Sequence, residues 1–155
     1  MSENTISFYS KSFDQLSTIE LYKVLQLRQK VFVVEQDCPY LDTDDLDQVA
    51  MHIIGMDALG EIHAYARILP VNTSYTEYAS IGRIITSLES RGTGLGGRLM
   101  EESLALCRQL HPQDIKMSAQ IYAEEFYKKY DFKSVGVGYL EDGIPHIGMV
   151  VKAIL

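Results

Sequence analysis

Between Glu61 and Leu69 the side chains alternate. Ile62, Ala64, Ala66 and Ile68 fall on one face of an extended chain, and His63, Tyr65, Arg67 and Leu69 on the other. A second extended run, Met51 to Met56, precedes it across Asp57-Ala58-Leu59-Gly60, a hairpin signal. Further strands are predicted over Ile6 to Tyr9, Tyr78 to Thr86 and Ile115 to Ala119. A closing hairpin is predicted from Phe132 to Leu140 and from His146 to Val151, across Glu141-Asp142-Gly143-Ile144-Pro145.

Between these runs the apolar spacing becomes helical. Ser17 and Glu20 have the spacing of a capping box, and Leu21, Val24, Leu25, Val31 and Phe32 continue as a stripe. Leu95, Leu99, Cys107 and Leu110 mark a longer helix that stops at His111-Pro112, and Ala123 to Tyr130 predicts a short one. The order is strand, helix, three strands, helix, strand, helix, two strands. That is an α/β chain of mixed α+β type, a mixed sheet with helices on its faces.

Two features disturb the pattern. Arg28 stands on the apolar stripe, where a cation must either snorkel outward or meet an anion. Asp42, Asp44, Asp45 and Asp47 crowd the loop from Cys38 to Gln48. A calcium loop is excluded there, because the sixth position lacks glycine and Ile53 stands where the twelfth-position glutamate belongs. We expect a solvated acidic loop.

The 155 residues suit one domain, 1–155, since domains run roughly 100–200 residues. A 46% hydrophobic content supports one sizeable core. The net charge of −7 argues against a nucleic-acid partner and mildly favours cationic acceptors. Cys38 and Cys107 form neither a disulfide framework nor a zinc pattern, and no residue cluster has metal-ligand spacing. The polar start from Met1 to Thr5 carries no signal-peptide pattern, and no apolar run is long enough for a membrane span. We therefore expect a cytoplasmic protein without a membrane partner.

The chemistry concentrates at Arg91-Gly92-Thr93-Gly94-Leu95-Gly96. Glycines let backbone approach a ligand, and the N–H groups opening the Leu95 helix favour an anion. Arg91 adds positive charge, so the turn suits a pyrophosphate. Gly92, Gly94 and Gly97 also match the dinucleotide fingerprint, but the turn follows hairpin-type strands. Asp114 precedes its strand instead of ending it, and the Gly-Lys-Ser/Thr of a P-loop is missing.

With these residues in view, the chain resembles the GNAT N-acetyltransferases. Arg91-x-x-Gly94-x-Gly96 is similar to that family's coenzyme A pyrophosphate loop. Gln120 after a strand, then Phe126-Tyr127-Lys128-Lys129-Tyr130-Asp131-Phe132, is similar to its second motif. Several stretches resemble the ElaA-type branch: Leu27-Arg28 with Val31 to Gln36, Ala64 to Leu69, Ile81-Gly82-Arg83, and Glu141 to Met149. Two positions depart from the motif. Asp131 replaces a glycine that would be left-handed, and Gln120 replaces asparagine with the same donor and acceptor set.

The resemblance implies a largely antiparallel sheet of about seven strands flanked by about four helices. It implies acetyl-coenzyme A as co-substrate, no metal, and a small-molecule or peptide amine as acceptor. Ile84, Ile85 and Thr86 would then run beside the pantetheine arm, Gly92, Thr93, Gly94 and Gly96 with Arg91 would hold pyrophosphate, and Gln120 would touch pantetheine. Tyr127 would protonate the departing thiolate: a phenol near pKa 10 is a modest mismatch to a thiol of about 8.5. Glu35, His63 and His146 are candidate bases, while Arg28, Arg67 and Arg83 are candidates for an acceptor carboxylate. Alternative readings are a non-catalytic acyl-coenzyme A sensor and a relative of the acyl-homoserine lactone synthases. The apolar C-terminal strand ending in Ala153-Ile154-Leu155 either pairs with a second subunit, making a homodimer, or finishes the core.

Overall fold

The computed structural model describes residues 5–154. The start, through residue 4, and Leu155 lie outside the described residues, and with them the leader reading and the end of the C-terminal strand reading. In chain order the elements are β1 (Ser7–Ser12), α1 (Thr18–Arg28), β2 (Met51–Met56), β3 (Ile62–Leu69), β4 (Ala79–Thr86), α2 (Leu95–Leu110), β5 (Ile115–Gln120), α3 (Glu124–Lys128), β6 (Lys133–Glu141) and β7 (Ile144–Val151). A π-helical stretch, Gln29–Glu35, continues α1. The seven strands form one sheet in the order β1-β2-β3-β4-β5-β7-β6. Only β4 and β5 run parallel; every other pair is antiparallel.

The capping box forms as the spacing predicts. The Glu20 N–H donates to Ser17 Oγ at 3.1 Å, and the Ser17 N–H donates to Glu20 Oε1 at 2.8 Å. Glu20 also accepts from Tyr9 and Lys11 of β1, which ties the helix start to the sheet edge. Burial raises the Glu20 carboxyl, but the Ser17 N–H, Tyr9 and Lys11 outweigh it and bring it to about 2.

β3 is buried on both faces along nearly its whole length. Ala64, Ala66 and Ile68 pack beneath Leu95, Leu99, Met100 and Leu104 of α2. On the opposite face Tyr65 packs with Val24, Leu27 and Val31. α2 follows the predicted stripe, and its C-terminal turn is closed by the His111 N–H donating to Cys107 O. The helix comes close enough to α3 that a Cβ on Gly97 would lie 2.8 Å from the Tyr130 hydroxyl. One of the four clustered glycines therefore serves helix packing. Asp131 has φ 69°, the left-handed conformation its motif position requires.

One reading needs correction. The closing hairpin turns on two residues, Asp142 (φ 51°) and Gly143 (φ 78°), so β7 begins at Ile144. Asp-Gly fits such a tight turn because both positions need positive φ. The last strand ends at Val151. β7 lies between β5 and β6 and is paired on both sides; the sheet edges are β1 and β6.

Candidate active site

β4 changes course at its middle. Arg67 of β3 pairs with Gly82, while Tyr65 pairs with Ile85, so β4 carries an extra residue there. Arg83 within the bulge has φ 51°. The bulge reverses the side-chain alternation: Ile81 packs on the α2 side, Ile85 on the α1 side.

Below the bulge β4 pairs with β5 through Ala79–Ile115 and Ser80–Lys116 only. Beyond these pairs the strands part, and residues from both sheet faces line one cleft of about 860 Å³. Ile84, Ile85, Thr86 and Arg91 stand on one wall, with Gln120 and Tyr127 on the other. Such a volume lies within the usual range for ligand pockets, about 300–1,000 Å³.

At the end of the cleft the chain passes into the glycine turn and α2. Gly92 and Gly94 have φ 80° and 84°, which glycine adopts without strain. Gly94 caps α2, whose first turn contains no acidic residue. A Cβ at either glycine would meet nothing within 4 Å, so the space over the turn is open. The helix start leaves N–H groups without intrahelical partners, and the turn fits a pyrophosphate. Thr93 Oγ1 donates back to Ser90 O at 2.5 Å and stiffens the turn. Gly96 lies within α2, against the Phe126 ring. Arg91 reaches across to Glu35, at 2.8 Å.

Tyr127 is half-buried and packs edge-on against Phe126 and Phe132. Burial pushes its hydroxyl up to about 12, with Tyr122 adding to the rise. It therefore stays protonated at neutral pH and has a proton to donate. Gln120 ends β5 and accepts from Gln36 Nε2 at 3.3 Å. A dinucleotide site would call for an acidic residue at such a strand end.

The candidate bases separate. Both nitrogens of His63 are engaged away from the cleft, by Ser87 and Asp57 at 2.8 Å each. Glu35 and His146 line the cleft.

The acidic loop is corrected by its partners. Asp42 and Asp47 are buried, and Asp44 half-buried, because three arginines hold them. Arg28 donates to Asp42 at 2.6 Å and to Asp47 at 2.7 Å. Arg67 grips Asp44 with two bonds, 2.7 and 2.8 Å. Arg83 takes Asp42 at 2.8 Å. Burial raises Asp44, but the hydrogen bonds and charge of Arg67, with Arg83, bring it to about 2. Arg28, Arg67 and Arg83 are thus occupied by carboxylates of the chain itself. The sequence shows both sets of residues but not that they meet, since the pairs span 14 to 41 positions.

Among the described residues no helix is long and apolar enough to cross a membrane, and no group of side chains is placed to hold a metal ion.

Known proteins share this arrangement. The Acetyltransferase (GNAT) domain family matches residues 23–153. Protein ElaA of Escherichia coli is 43% identical over 143 residues, covering 90% of this chain and 92% of that protein. Its crystal structure superposes with a TM-score of 0.87, over 94% of this chain and 99% of that one. An acyl-CoA N-acyltransferase from Pseudomonas aeruginosa, 41% identical, has a TM-score of 0.87 with the same coverage. A match of that length, carried by relatives aligned nearly end to end, means that the chain belongs to the GNAT acetyltransferase family.

Proposed function

We propose that the protein transfers an acetyl group from acetyl-coenzyme A to an amine. One observation carries this reading: the parting of β4 from β5 beside the open glycine turn. Coenzyme A supplies the activated acyl thioester, and the chain supplies its cradle. Pyrophosphate would rest on the N–H groups around Gly92, Thr93, Gly94 and Gly96 and would draw Arg91 from Glu35. The β4 edge at Ile84, Ile85 and Thr86, freed from β5, would offer main-chain donors and acceptors to the pantetheine amides. Gln120 would meet the arm from the opposite wall.

Tyr127 would hold its proton until the carbon–sulfur bond breaks and then give it to the thiolate. A preorganised N–H of β4 would stabilise the oxyanion.

The test is calorimetric titration with acetyl-coenzyme A, with NAD as control, followed by free-thiol release across an amine panel. Binding with amine-dependent thiol release supports the transferase. Binding without release from any amine would make the protein a sensor, and no binding would remove the reading.

A further inference from the structure

Resting on the transferase reading, we infer that His146, Glu141 and Asp142 form the acceptor site, for a small amine that carries a second positive charge and no carboxylate.

The argument begins with charge. Asp42, Asp44 and Asp47 match Arg28, Arg67 and Arg83 in number and hold all three. Arg91 holds Glu35. Each arginine on the cleft is already paired with a carboxylate of the chain, with Arg67 Nε the buried donor among them that lacks a partner. Glu141 and Asp142 line the same cleft, and among the described residues neither has a lysine or arginine partner. This end of the cleft therefore carries two carboxylates with no direct lysine or arginine partner, the Lys116 ammonium lying over the neighbouring Tyr75 ring.

His146 adds the second observation. Its side chain is only 8% exposed, yet it lines the cleft. Nδ1 lies 2.6 Å from the Ile144 carbonyl oxygen, which can only accept. Nδ1 must therefore carry a proton, so in the neutral ring the lone pair sits on Nε2. Nε2 has no hydrogen bond of normal length; Glu141 Oε2 stands 3.4 Å away. Register places His146 beside Gln120 on one side and Tyr139 on the other, and the Tyr139 ring stacks on the imidazole with centroids 6.2 Å apart. The other titratable or charged groups on this side are Asp142 in the turn, Cys38, whose thiol donates to the Asp142 carbonyl oxygen, Tyr40, Tyr75 from the β3–β4 connection with the Lys116 ammonium over its ring, Tyr122 and Glu35.

The acceptor's ammonium gives one proton to Nε2, and Glu141 stabilises the imidazolium that results. The free nitrogen bonds to the thioester carbonyl carbon as the carbon–sulfur bond breaks. The thiolate takes the Tyr127 proton, and the second proton leaving the nitrogen restores that tyrosine. His146 returns its proton to solvent, so one proton is released per acetamide formed. Asp142 meets the far charge.

The experiment compares three acceptors of equal length: 1,4-diaminobutane, butylamine and 4-aminobutanoate. Free-thiol release is followed on wild type, Asp142→Asn, Glu141→Gln and His146→Gln, and acetyl-coenzyme A calorimetry checks that each variant is folded. The expected order of kcat/KM is diamine, butylamine, carboxylate. Asp142→Asn should raise the diamine KM about tenfold more than the butylamine KM, as one partly screened charge contact would. His146→Gln should lower kcat/KM by about a hundredfold and remove the acid limb of its pH profile, while Glu141→Gln lowers kcat/KM less. Preference for 4-aminobutanoate, or an unaltered pH limb in His146→Gln, overturns the inference alone. Absence of thiol release from all three, with release from another amine of the panel, likewise overturns the inference alone; absence of release across the whole panel, with acetyl-coenzyme A bound, removes the transferase reading with it.

Discussion

Arg28 and Asp42 meet at 2.6 Å with both side chains enclosed, and Asp42 also receives Arg83 from the bulged strand. One carboxylate thus links α1, the loop from Cys38 to Gln48 and the wall of the cleft. Removing the cation leaves Asp42 and Asp47 each with one arginine fewer in a dry site. Arg28→Ala should lower unfolding free energy by about 3–5 kcal/mol. Urea titration checks this; a loss below 1 kcal/mol would show that the network is dispensable.

The same network predicts how the fold responds to acid. Asp44 lies at about 2 and Asp47 below its ordinary value, as does Glu20 at about 2. An unfolded carboxyl titrates near 4. Each group binds its proton more weakly when folded, so its contribution is complete above pH ~5 and disappears as pH falls towards 2. The urea midpoint should hold between pH 6 and 5 and fall steadily below about 4. Arg67→Gln, which releases Asp44, should flatten that fall.

Tyr127→Phe keeps the ring contacts with Phe126 and Phe132 and deletes only the hydroxyl. Turnover should drop about a hundredfold or more, as loss of a general acid does, with acetyl-coenzyme A affinity within about twofold. Paired kinetic and calorimetric measurements separate the two; equal turnover would take Tyr127 out of the reaction.

The glycines divide into two kinds, which substitution distinguishes. Gly94→Asp sets a carboxylate over the helix start in a conformation that costs a side chain about 1 kcal/mol. Acetyl-coenzyme A affinity should fall at least about tenfold. Gly97→Ala instead drives a Cβ towards the Tyr130 hydroxyl, so thermal stability should suffer before binding does. A thermal melt beside a titration reads both, and reversed effects would exchange the two roles.

Local chemistry made most of this fold legible. The alternation in β3, the Ser17–Glu20 box, the α2 stripe and the glycine turn each rest on neighbours a few positions apart. Asp131 was readable for the same reason, since a helix end needs a left-handed residue. What escaped depends on distant partners. The acidic loop looked solvated because Arg28, Arg67 and Arg83 reach it from three separate elements. The Arg83 bulge left no composition signal, and the insertion of β7 beside β5 is a matter of topology. The two-residue Asp142-Gly143 turn was readable from its dipeptide, but the longer loop drawn around it hid the start of β7.

That insertion makes the site depend on the end of the chain. β5, which carries Gln120, touches β4 through only two residue pairs and takes six from β7, the last strand in sequence. A chain ending at α3 would keep the glycine turn and Tyr127 yet lack the strand that braces one wall. The shape of the ligand groove thus depends on residues well beyond the motifs that line it, and a truncation that spares every motif would still unmake it.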